Sequence, residues 1–324
     1  MVFQPGNIVK AMKFVTVTAD PFLSWRLAAP SLSQPGIIRA GGGVKTPGGS
    51  GIGISRVLQM LGEKTVALVP FGGSSGLEFI ESAKEEPFAF HPVPVSGTTR
   101  YRLVLVDEST EDTMEIDTPG SPLSESDWQS LLREASDICS EGDWAVAAGP
   151  LAPGIPDDFY RFLSGRLRER GAMMALDASG APLERALHYK GILRPHIVKM
   201  TIAGLSGLWR AALSSLDEIW AQGYRFPEGP EFLISHDSEG ALVLSRNGCW
   251  EGRSLHAGAH CRGGGEDALL AGYVLMRQRG SHEPDALKHA LACADASDAL
   301  PPGRSLDSGL IKSSLSAIEI RRKG

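Results

Sequence analysis

Apolar and polar positions along this chain follow two rhythms. Short, almost wholly apolar runs read as buried strands, and longer runs with an apolar residue every third or fourth position read as helices. Phe14-Val15-Thr16-Val17-Thr18 is the first such strand. Gly48-Gly49-Ser50-Gly51 then opens a helix whose apolar stripe is Ile52, Ile54, Val57, Leu58 and Leu61, and Gly62 stops it. Residues 65–69 form a second strand before the glycine-rich turn 72–76, and residues 144–148 form a third. Pro156 begins a helix with Asp157 and Asp158 in its first turn, where the helix dipole favours acids. Phe159, Phe162, Leu163 and Leu167 face inward along it, and Gly171 ends it. Residues 173–176 are a further strand with Asp177 at its carboxyl end. Residues 231–235 and 241–244 are late strands, and 267–279 and 284–294 are closing helices. This order predicts an α/β chain: a single three-layer domain over residues 1–324, with a mostly parallel sheet covered by helices on both faces.

Two stretches break the rhythm. Residues 37–44 are short and glycine-rich. Residues 98–116 alternate with period two around a polar turn, which reads as a hairpin. Such an insertion is either a lid or dimer surface, or an ordinary edge hairpin, and its residues leave both open. As lid elements the insertions are bounded at about 36–46 and 88–118. Residues 204–230 carry the least pattern.

With 324 residues and 42% hydrophobic content the chain is large enough for a full three-layer core. Its net charge is −6, and Arg321-Arg322-Lys323 is its longest basic run, so binding of nucleic acid by a positive face is not expected. No stretch of about 18 uncharged apolar residues could span a membrane, and residues 1–10 lack an apolar signal core. Cys139, Cys249, Cys261 and Cys293 form no C-x-x-C pair and read as reduced thiols of a cytoplasmic protein.

Chemistry concentrates in Arg262-Gly263-Gly264-Gly265-Glu266-Asp267-Ala268, where three glycines run into a helix. Glycine lets backbone amides approach an anion, and a helix N-terminus adds partial positive charge. An aspartate there can accept the proton of an attacking hydroxyl, which is the equipment phosphoryl transfer needs. The same residues also make a plain helix cap.

Several separated segments together resemble the ribokinase/PfkB carbohydrate kinases, in the branch of 1-phosphofructokinase and tagatose-6-phosphate kinase. Gly48-Gly49-Ser50-Gly51-Ile52-Gly53-Ile54-Ser55-Arg56-Val57-Leu58 is similar to that branch's Gly-Gly-Lys-Gly-Ile-Asn-Val-Ala-Arg-Val-Leu. Gly97-Thr98-Thr99-Arg100 resembles its lid segment, and residues 149–160 resemble Gly-Ser-Leu-Pro-Pro-Gly-Ile-Pro-x-Asp-Phe-Tyr. Leu176-Asp177-Ala178-Ser179-Gly180 is similar to Leu-Asp-Thr-Ser-Gly, and Pro302-Gly303 falls where the family has a late Pro-Gly. The resemblance implies a ribokinase-like fold with a small β lid, ATP and Mg²⁺ as cofactors, and transfer to a hydroxyl of a sugar or sugar phosphate. It implies Asp267 as base and Gly264, Gly265 and Glu266 as the anion hole. It assigns substrate binding to Ser24, Gly48, Gly49, Ser50, Gly53 and Arg100, and nucleotide binding to Arg194, His196, Lys199, Ser235 and Gly240. No protein-held metal site is among these residues. In this family the lid often pairs two subunits, so a homodimer is a further expectation.

The same positions depart from the family pattern. Glu266 stands for the second anion-hole glycine, and Ser24 for a sugar-binding aspartate. Ser50 and Gly53 stand for a lysine and an asparagine. Set against Lys-Pro-Asn-x-x-Glu, residues 194–199 put His196 for the amide and Lys199 for the acid. In the nucleotide segment 235–240 one glycine is missing and Asp237 adds negative charge. Each lost contact is worth about 1–3 kcal/mol. Two readings follow: a sugar kinase with a rewired phosphate site in which Lys199, Arg194 or Arg262 neutralises charge, or a kinase-fold protein that binds a ligand or partner without turnover. A metal site from His256, His260 and Cys261 is a third, weaker option, because Ala257-Gly258-Ala259 is a poor helix.

Overall fold

The computed structural model describes residues 13–33, 36–188, 194–221, 229–236, 240–255, 264–300 and 308–323. The chain begins with β1 (Phe14–Val17), then β2 (Phe22–Ala29) and β3 (Gly41–Gly48), before α1 (Ser50–Met60) and β4 (Thr65–Phe71). Next come α2 (Gly73–Ala83), β5 (Ala89–Pro94), β6 (Arg100–Asp107), β7 (Thr113–Asp117) and α3 (Glu125–Asp137). The middle of the chain holds β8 (Trp144–Ala148), α4 (Phe159–Glu169), β9 (Met173–Asp177), α5 (Gly180–His188) and β10 (Ile197–Thr201). It continues with α6 (Ile202–Trp209), α7 (Leu216–Ala221), β11 (Glu231–His236), β12 (Gly240–Ser245) and β13 (Gly248–Ser254). The last elements are α8 (Gly264–Gln278), α9 (Glu283–Asp298), α10 (Ser308–Leu315) and β14 (Ile318–Lys323).

Ten strands form one sheet in the order β14-β13-β12-β11-β10-β9-β8-β1-β4-β5. From β11 to β5 every pairing is parallel, and β12, β13 and β14 close the far edge antiparallel. Successive side chains on a strand point to opposite faces, and the sequence supplies apolar residues for both. Val15, Val17, Met174, Leu176, Phe232 and Ile234 pack into one core with α3, α4 and α5. Phe14, Val146, Ala175 and Leu233 pack into a second core with α1, α8 and α9. The three-layer α/β class read from the sequence is the observed one.

Strand order reverses at β1 and β8. From β1 the chain adds β4 and β5 on one side, and from β8 it adds β9, β10 and β11 on the other. Connections leaving a reversal point diverge to opposite faces, so a crevice opens beyond the carboxyl ends of those strands.

A second sheet, β3-β2-β6-β7, stands beside this crevice. The hairpin expected over 98–116 is β6 and β7, paired antiparallel from Arg102↔Asp117 to Val106↔Thr113. The glycine-rich stretch is the start of β3, which pairs with β2. Two bounds differ from the expected insertions. β5 pairs with β4 in the large sheet, so the insertion does not begin at residue 88. β2 belongs to the small sheet, and its mixed sequence Phe-Leu-Ser-Trp-Arg-Leu-Ala-Ala had no strand-like run to reveal it.

Candidate active site

The crevice is a cleft of about 700 Å³. Its floor comes from strand ends of the large sheet: Thr18 after β1, Gly149 and Pro150 after β8, Asp177 at the end of β9 and Lys199 on β10. One wall is the N-terminal turns of α1 and α8, with Gly49, Ser50, Gly53, Gly264, Glu266 and Asp267. The opposite wall is the small sheet, contributing Ser24, Thr46, Arg100 and Arg102. The structure thus brings together Ser24, Gly48, Gly49, Ser50, Gly53, Arg100, Lys199, Gly264, Glu266 and Asp267, which lie far apart in sequence.

Asp267 sits in the first turn of α8, against α1. A side chain at Gly53 would occupy its place: an ideal Cβ there falls 1.9 Å from Asp267 Oδ2. The glycine is therefore what admits the carboxylate between the two helices. Burial there pushes the Asp267 carboxyl well above the usual carboxylate range, and the charges of Asp177 and Glu266 push it further. A carboxyl raised in this way is a stronger base once ionised.

Lys199 is 3% exposed, so its ammonium needs partners. Its Nζ donates to Asp177 Oδ2 at 2.9 Å and pairs closely with Glu266. Those two carboxylates hold the Lys199 pKa above its ordinary value against the effect of burial. Ser235, buried at the end of β11, donates its hydroxyl to both Glu266 oxygens at 2.9 and 3.0 Å. Glu266 therefore turns toward β10 and β11. Burial raises the Asp177 pKa despite Lys199.

On the small sheet, Arg100 Nε donates to Asp20 Oδ2 at 2.9 Å, and its Nη1 lies 3.1 Å from Asp117 Oδ2. Arg102 takes Asp117 with two bonds, at 2.7 and 2.8 Å. Both guanidinium groups lie over the Phe22 ring, at 4.9 and 4.2 Å from its centroid. Two fixed guanidinium groups side by side suit a phosphate, which accepts bidentate bonds. Arg102 and Thr18 were not singled out from the sequence. Period-two spacing puts Arg102 on the Arg100 face and could have found it. Nothing local marked Thr18, whose buried hydroxyl has no hydrogen-bond partner among the described residues.

Arg194 and His196 are not brought to the cleft. They precede β10, at the opposite end of the sheet from Asp177. His196 Nδ1 accepts from the Met174 amide at 3.0 Å, and burial lowers its pKa to about 4. At about 3.3 Å per residue, three residues of strand separate His196 from Lys199 by roughly 10 Å. Lys199 lies toward the other end of β10, where the chain crosses into α6 with Thr201 as its cap. Gly240 opens β12, and Gly265 faces Asp298 on α9, so neither lines the cleft. Asp237, Arg262, Gly263, the 301–303 segment and the set His256, His260 and Cys261 lie outside the described residues.

The family model for pfkB family carbohydrate kinases matches residues 21–297. A 1-phosphofructokinase of Xanthomonas campestris pv. campestris is 27% identical over 270 residues, covering 81% of this chain and 83% of that protein. A 1-phosphofructokinase of Bacillus subtilis is 28% identical over 262 residues, covering 80% and 84%. The crystal structure of phosphofructokinase-2 from Escherichia coli in complex with potassium superposes with a TM-score of 0.86, at 21% identity, over 94% of this chain and 98% of that one.

Proposed function

The chain belongs to the pfkB family of carbohydrate kinases, and from that premise we propose that it transfers a phosphoryl group from ATP to a hydroxyl of a phosphorylated sugar in the cytoplasm. The observation that carries this reading is the shape of the cleft: the half-buried carboxylate of Asp267, in the first turn of a helix, lies across from two guanidinium groups held on the opposite wall. Arg100 and Arg102 hold the phosphate that the sugar already carries. Asp267 accepts the proton as the sugar hydroxyl attacks the γ-phosphorus, and the bond from phosphorus to the ADP oxygen breaks. The first-turn amides of α8 face the charge that develops on the phosphoryl oxygens.

Mg²⁺ is the family's other requirement. The donor set does not fit a divalent ion held by the protein alone. The Lys199 ammonium lies between Asp177 and Glu266, and no group of three or more metal-ligating side chains occurs among the described residues.

The small sheet is the lid, and its outer face pairs two copies of the chain. Trp25, Leu27, Leu103, Leu105, Met114 and Ile116 share that face by strand register, and Met114 and Ile116 are exposed. No described helix is long and apolar enough to cross a membrane.

The test is ADP release with MgATP across a panel of sugars and sugar phosphates. Turnover is expected on a phosphorylated sugar, with a loss of about 10²–10⁴-fold in Asp267→Asn. Arg100→Ala is expected to raise KM for that substrate about 10-fold or more, and to leave any unphosphorylated sugar unaffected. No ADP release on any substrate, or full turnover in Asp267→Asn, would overturn the reading.

A further inference from the structure

The cleft's most deeply buried cation is already occupied by the chain itself. Lys199 Nζ donates to Asp177, and its closest partner is the Glu266 carboxylate. Glu266 lies in the first turn of α8, where an anion is favoured by the helix amides. The Ser235 hydroxyl binds the same carboxylate from the other side. An anion at a helix N-terminus, on an ammonium and a hydroxyl, has the partners a phosphate oxygen would take. Lysine has three N–H donors, and two are committed here. An arriving phosphate therefore meets one positive charge flanked by two negative ones.

We propose that Glu266 is a built-in competitor for phosphate: its carboxylate occupies Lys199 and must move aside before a polyphosphate can bind there. This rests on the kinase reading for the identity of the ligand as a nucleoside triphosphate. Glu266 then sets a weak affinity for the nucleotide in the resting protein. Displacement frees Lys199 and the Ser235 hydroxyl together.

Calorimetric titration of the full chain with tripolyphosphate and with ATP tests this without catalysis. Glu266→Gln keeps the size of the side chain and its bond from Ser235 while removing the charge. It is expected to bind both probes at least tenfold more tightly than the wild type, and Glu266→Gly serves in its place if the glutamine variant does not fold. Adding Lys199→Met to Glu266→Gln is expected to abolish the gain. Because that change strands Asp177, the triple variant with Asp177→Asn provides a second background. Equal or weaker binding in Glu266→Gln would overturn the proposal. So would a gain that survives the loss of Lys199, because it would then be general relief of negative charge. Failure of ATP turnover in every variant would remove the kinase reading alone, and unchanged tripolyphosphate affinity in an active kinase would remove this inference alone.

Discussion

At the scale of single residues, the site trades stability for chemistry at Asp267. Folding raises the pKa of this carboxyl, so the folded chain holds its proton more tightly than the unfolded chain does. The group contributes stability below its ordinary value near 3.8 and loses that contribution as pH rises through the raised value. Asp267→Asn removes a carboxylate that is costly to ionise. It is expected to raise the melting temperature at neutral pH. Thermal unfolding at neutral pH and at acid pH checks the sign: the gain should vanish in acid, where the wild-type carboxyl is protonated. A variant less stable than wild type at neutral pH would contradict the burial argument.

At the scale of elements, the contact between α1 and α8 places the Asp267 carboxylate. Gly53 is interior to α1, where glycine costs about 1 kcal/mol relative to alanine. Intrinsic propensity alone therefore predicts that Gly53→Ala strengthens the helix. The geometry predicts a different cost, because the new Cβ would fall 1.9 Å from Asp267 Oδ2 and 2.9 Å from its Cγ. The obstructing atoms are the end of a side chain, so the carboxylate turns rather than the helices parting. Gly53→Ala is expected to melt within a few degrees of wild type and to lose roughly 10–100-fold in kcat with little change in KM, because a base misplaced by about 1 Å loses that much. Steady-state kinetics beside a melting curve separates the two effects. A fall in stability with kcat intact would mean that α1 has moved instead.

At the scale of the whole molecule, the large sheet is a platform and the small sheet a wall of the cleft beside it. The inner face of the small sheet carries Arg100, Arg102 and Glu115 toward the cleft, and its outer face carries Trp25, Leu27, Leu103, Leu105, Met114 and Ile116. A sheet polar on the ligand side and apolar on the far side needs a cover for the apolar side. Leu103 and Ile116 are cross-strand neighbours at its centre. Leu103→Asp is expected to turn a dimer into a monomer in sedimentation velocity, with the fold intact by circular dichroism. A wild type that sediments as a monomer at tens of micromolar would contradict pairing through this face.

The local rhythm of the chain carried much of this. Runs such as Phe14–Val17 and Trp144–Ala148 are apolar on both faces because a parallel strand is covered on both faces, and that requirement is written directly into composition. The glycine run into α8 and the aspartate after it were legible for the same reason, since backbone access and helix capping are local properties. Strand membership of β2 was not legible, because its residues serve a cleft on one face and an apolar surface on the other. Nor was the end of β10 at which the site lies: Arg194 and His196 differ from Lys199 by a few positions in sequence but by the length of a strand in space. The ion pairs of the site were also beyond sequence reading. Arg100 meets Asp20 across 80 positions, and Ser235 meets Glu266 across 31. Such encounters depend on strand order and register, which distant segments decide jointly. The sequence by itself determined the layers, the family and the aspartate at the head of α8. Only the tertiary structure decided that Gly53 makes room for that carboxylate and that Glu266 already holds Lys199, because both are matters of which atoms share one small volume.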